Sequence, residues 1–89
     1  MKFRPHLLLA DGTKVSVQAN EWVYCTPRED DAKAYRSVEA WFTGKGGGHL
    51  THEPLSYLPA RELMKMIEEH GGIVEGDLPP LDLTGDEEE

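Results

Sequence analysis

The sequence predicts a small α+β fold: an antiparallel sheet of three to five strands, opened by an N-terminal β-hairpin and packed by one C-terminal helix at about residues 59–70, followed by a disordered acidic tail. Three observations predict it. Residues 3–9 and 14–19 alternate apolar and polar side chains, the period of a half-buried strand. Ala60, Leu63, Met64 and Ile67 recur at the period of a helix and make one apolar face. Of the 17 acids in the 89-residue chain, seven lie from Glu75 onward, where there is no Lys or Arg. The expected division is therefore one domain over residues 1–74 and a Pro-containing acidic tail over residues 75–89.

The hairpin loop follows from the apolar faces. A two-residue turn at Asp11-Gly12 sets Leu7 opposite Ser16 and splits those faces. A three-residue loop sets Leu9 opposite Thr13, Leu7 opposite Val15 and Pro5 opposite Val17, which gathers the apolar residues on one side. Gly12 then stands where a type I turn with a G1 bulge needs a left-handed residue. Pro5 cannot donate to a ladder, so the first strand is expected at a sheet edge or starting near Pro5.

Trp22-Val23-Tyr24-Cys25-Thr26 is a short β-prone run, and residues 27–33 are charged and turn-like. Residues 34–43 hold Tyr35, Val38, Trp41 and Phe42 and predict a further strand. Gly44 to Gly48 has four glycines in five positions and predicts a loop. Leu55 to Leu58 predicts one more short strand. The helix begins near Pro59, a residue suited to a first turn, and Gly71-Gly72-Ile73 predicts a Schellman-like stop.

Composition limits the function classes. The chain is 38% hydrophobic and 29% charged, which is globular composition. No apolar run reaches membrane-spanning length, and the N-terminus lacks the apolar core of a signal peptide. A single cysteine, Cys25, cannot form an internal disulfide, so a cytoplasmic setting is expected. The formal charge is −8, yet residues 1–74 carry ten acids against nine bases. No Lys/Arg cluster is present to displace counterions from phosphate, so no direct nucleic-acid binding is expected.

Each candidate motif stands or falls on what its chemistry requires. Gly44-Lys45 is followed by three glycines and His49, whereas a phosphate loop ends in Gly-Lys-Ser/Thr and opens a helix. His49 and His52 are weak metal candidates with Cys25, because a zinc site needs about four ligands and the chain offers one close pair. The chain's four histidines leave a base for Cys25 open, but nothing marks an oxyanion hole or an orienting acid, so it reads as a small buried hydrophobe. No catalytic residue, cofactor or enzyme activity is predicted. If Val38, Ala40 and Phe42 face inward, then Tyr35 and Trp41 face outward and are candidates for binding a protein. In the tail, Leu78, Leu81 and Asp82, with Asp86, Glu87, Glu88 and Glu89, form a candidate docking segment. Its acids suit a basic groove on a partner.

Residues 1–19 (MKFRPHLLLADGTKVSVQA), Tyr24-Cys25-Thr26-Pro27-Arg28 and His70-Gly71-Gly72-Ile73 together resemble a group of small uncharacterised proteins of tailed bacteriophages and prophages of proteobacteria. The resemblance covers the first 28 residues and the helix end; the glycine loop and the acidic tail lie outside it. It implies a phage accessory gene expressed in a bacterial host and carries no functional residues. By analogy with small phage accessory proteins, the expected function is a non-enzymatic, anti-CRISPR-like binding protein that docks on a host protein or antiviral defence complex and inhibits it. The alternatives are a phage structural or assembly protein, built by pairing of exposed strand edges, and a small metal-binding protein. Oligomeric state is left open by the sequence.

Overall fold

Alternating strand segments and one amphipathic helix give the order β1 (Leu7–Leu9), β2 (Lys14–Gln18), β3 (Ser37–Thr43), β4 (Leu55–Pro59), α1 (Ala60–Glu69) and β5 (Ile73–Glu75) in the computed structural model, which describes residues 3–84. The strands form one antiparallel sheet in the order β4-β3-β2-β1-β5. The fold is therefore α+β, as the alternation and helix period predict. After β4, at one edge, α1 carries the chain over the sheet to β5 at the other edge.

The hairpin adopts the three-residue loop. Leu7 pairs with Val15 and Leu8 with Lys14. The Leu9 amide donates to the Thr13 carbonyl at 2.8 Å, and the Gly12 amide to the Leu9 carbonyl at 3.0 Å. Gly12 has φ +93°, the left-handed conformation required of it. The expected pair of Pro5 with Val17 does not form. Instead the Gln18 side chain takes both backbone groups of Arg4: its Oε1 accepts from the Arg4 amide at 2.7 Å and its Nε2 donates to the Arg4 carbonyl at 2.8 Å. Strand β1 starts beyond Pro5 and is not an edge, because β5 covers its outer side.

One sheet face is the core. Leu7, Leu9, Val15, Val17, Val38, Ala40, Phe42 and Leu58 are buried there, with Leu63 and Ile67 of α1 packed over them. The polar parity of the same strands, Ser16 opposite Trp41 and Gln18 opposite Glu39, makes the other face. The helix lacks a side-chain cap at Pro59, but the Ala60 amide donates to the Arg36 carbonyl at 3.0 Å and so finds a partner outside the helix. At its other end the Gly71 amide donates to the Glu68 carbonyl and the Gly72 amide to the Ile67 carbonyl, the paired bonds of a Schellman stop. The hairpin loop seats on this stop: the Ala10 amide donates to the Gly72 carbonyl at 2.9 Å.

Two further expectations change. Ile73–Glu75 is a strand, one too short for its period to be seen in sequence. The tail does not leave the fold at residue 75. Pro79 is buried, and Leu78 and Leu81 pack on the core. The Tyr35 amide donates to the Pro80 carbonyl and the Asp82 amide to the Tyr35 carbonyl, both at 2.9 Å. Acidic composition suggested a solvated tail, but the packing of Leu78, Pro79 and Leu81 and the two backbone bonds to Tyr35 hold residues 78–82 against the body. Asp86, Glu87, Glu88 and Glu89 lie outside the described residues. Among the described residues, no helix is long and apolar enough to cross a membrane.

Candidate functional site

The segment after β2 places two exposed aromatic side chains. Asn20 is buried, and its Oδ1 accepts the Trp22 amide at 2.7 Å, turning the chain. Val23 and Cys25 then point inward while Trp22 and Tyr24 point outward, 63% and 50% exposed. Residues 22–26 form no regular strand. They are fastened to the start of β3 by Thr26, whose carbonyl accepts the Arg36 amide at 2.8 Å and whose hydroxyl accepts from Ser37 Oγ at 3.0 Å.

Across from this segment, β4 carries a register irregularity, and Tyr57 there has φ +52°. A tyrosine in the left-handed region costs about 1–3 kcal/mol and persists only where surrounding structure holds it. Here the Tyr57 amide donates to the Tyr24 carbonyl at 3.0 Å, and the two rings lie 5.7 Å apart at 35°. Tyr57 is 50% exposed. The Arg28 guanidinium lies over the Tyr24 ring, 5.1 Å from its centroid. Tyr24, Tyr57 and Arg28 therefore form one contiguous surface, with Trp22 two residues along the same outward-facing segment.

The aromatic residues expected to bind are placed differently. Tyr35 is 2% exposed, so its expected role as a surface anchor is corrected. Its hydroxyl donates to the Glu29 carbonyl at 2.7 Å and accepts the Ala32 amide at 3.2 Å, which folds the charged loop 29–32 around it. The strand begins at Ser37, so the alternation through β3 does not extend back to Tyr35. Trp41 does take the non-core face but is half-buried. His49 stacks on it at 3.8 Å and 13°, and its indole N–H donates to the Thr51 carbonyl at 3.2 Å. Of the tail candidates, Leu78 and Leu81 belong to the core margin, and Asp82 accepts from the amide and hydroxyl of Thr84.

The nucleophile and metal candidates separate. Cys25 is buried with Sγ 3.3 Å from the carbonyl oxygens of Asn20 and Pro27, and burial pushes its thiol pKa up from the ordinary value. A protonated thiol in such a site is a poor nucleophile. His49 is engaged with Trp41 and with Thr43 Oγ1 at 3.0 Å. No group of three or more His, Cys, Asp or Glu side chains converges on a metal position among the described residues.

One constellation looks catalytic by residue type. His70 Nδ1 lies 2.7 Å from Asp11 Oδ2 and 3.2 Å from Thr13 Oγ1. Both contacts fall on the same ring nitrogen. A relay needs the acid on one nitrogen and the hydroxyl on the other, so this geometry locks the hairpin loop to the helix end.

Sequence reasoning missed Arg28 and Tyr57 and left Trp22 and Tyr24 unassigned. Their signal was present in part: Trp22 and Tyr24 flank Val23 at strand-like parity, which puts both on one side. No family model, curated protein or solved structure matches the chain.

Proposed function

We propose that the protein is a phage-encoded, non-enzymatic docking protein that acts in the bacterial cytoplasm by binding and inhibiting a host protein or antiviral defence complex. The observation that carries the docking reading is the surface of Tyr24, Tyr57 and Arg28, with Trp22 beside it. Tryptophan, tyrosine and arginine are the residue types that dominate binding hot spots, because each brings a large contact area together with a polar group. Holding Tyr57 in a left-handed conformation beside Tyr24 costs stability, and strain of this kind gathers at functional positions. The resemblance of residues 1–28 and 70–73 to small phage proteins supplies the host setting.

Assembly through strand edges has less support. Edge strand β4 is interrupted by an irregularity and bounded by Pro54 and Pro59, and edge strand β5 has three residues. Short, irregular or proline-bounded edges resist further pairing.

The test is expression in bacteria carrying a defined CRISPR immunity, followed by measurement of phage plaquing. The expected result is a rise in plaquing toward that on a non-immune host. Unchanged plaquing across a panel of immune hosts contradicts the anti-defence reading.

A further inference from the structure

The chemistry of the docked group can be argued from Arg28, on the premise that the aromatic surface is the docking site. We infer that Arg28 is a carboxylate-receiving anchor, and that the partner is a protein presenting an Asp, Glu or C-terminal carboxylate beside an aromatic or apolar side chain.

Arg28 is exposed, and its guanidinium lies over the Tyr24 ring. It forms no ion pair among the described residues, although Glu29, Asp30 and Asp31 follow it directly in the chain. The ring face supplies no oxygen acceptor, so, among the described residues, the guanidinium donors are left for water or for a carboxylate. Lying over the ring holds the side chain in place before a partner arrives, which lowers the entropy lost on binding. A guanidinium takes a carboxylate through two parallel, charge-assisted hydrogen bonds. The tyrosine rings next to it offer flat apolar area to the side chain that accompanies that carboxylate. The exposed acids Glu21 and Glu29, near Arg28 in the chain, narrow the choice further, since they repel a partner carrying many carboxylates more than one carrying a single carboxylate in an apolar setting.

Three indole probes differing in charge test this on the intact protein by NMR titration: N-acetyl-tryptophan, N-acetyl-tryptophanamide and tryptamine. The carboxylate probe is expected to shift the resonances of Tyr24, Arg28 and Tyr57 and to bind about tenfold tighter than the neutral amide. In Arg28→Gln the two are expected to bind equally, and in Arg28→Lys the preference is expected to fall, because the charge remains while the fork is lost. Equal binding of the carboxylate and the amide to the unaltered protein, tighter binding of tryptamine, or shifts centred elsewhere overturn the inference. Its failure is separable from failure of the docking reading. If Tyr24→Ala/Tyr57→Ala loses inhibition of immunity while Arg28→Gln retains it, docking stands and the carboxylate partner falls.

Discussion

The Tyr57 amide donates to the Tyr24 carbonyl at 3.0 Å, while their rings meet at 5.7 Å on the protein surface. One backbone bond therefore positions two exposed aromatic side chains that come from segments more than 30 residues apart. Tyr57 adopts φ +52° to make this contact, which glycine adopts without strain. Tyr57→Gly is expected to leave stability unchanged or raise it by up to about 1 kcal/mol, as relief of strain offsets the greater chain entropy of glycine. Chemical denaturation checks this. A loss well above 1 kcal/mol would make Tyr57 a structural residue and remove the argument from strain.

Asp11 gives a pH signature. Its hydrogen bond to His70, with further ones to Thr13, lowers its pKa from 3.8 to about 2. A carboxylate whose folded pKa is depressed contributes stability above its unfolded pKa and loses that contribution as pH falls through the folded value. The stability difference between the unaltered protein and Asp11→Asn is expected to be steady above about pH 4 and to shrink toward pH 2. Denaturation curves across pH 2–6 measure it.

Gly71 joins the helix stop to the hairpin. It has φ +93°, and a Cβ built there meets the Ala10 Cβ at 2.7 Å. Gly71→Ala is expected to cost about 2–4 kcal/mol, combining left-handed strain with displacement of the hairpin loop. A thermal melt within a degree or two of the unaltered protein contradicts the docking of loop on helix.

Truncation after Asp77 tests whether residues 78–82 belong to the domain. It removes buried Pro79, the contacts of Leu78 and Leu81 with the core, and both backbone partners of Tyr35. The expected loss is about 3 kcal/mol or more, seen as a lower denaturation midpoint. Unchanged stability would return the domain boundary to residue 74.

The legible parts of this fold were those set by local rules. Apolar parity placed the Leu7–Val15 register, and the requirement for a left-handed residue placed Gly12. Helical period and a Gly-Gly stop placed α1 to within a residue at each end. What remained hidden depends on contacts distant in sequence. Strand β5 is three residues long and exists because β1 offers it a ladder. Tyr35 is buried because Pro80 and Leu81 return to cover it from 45 residues away. The surface of Tyr24, Tyr57 and Arg28 joins two segments whose proximity no local pattern encodes, so Trp41, placed by parity alone, stood in for it.

The central claim, that this aromatic surface is where the protein acts, is tested most directly by phage plaquing on immune bacteria expressing Tyr24→Ala/Tyr57→Ala, with folding of the variant verified by denaturation. Two hot-spot tyrosines at about 2 kcal/mol each imply an affinity loss of roughly a thousandfold. The account predicts that the double variant folds and no longer raises plaquing. A folded double variant that restores plaquing as well as the unaltered protein would contradict it.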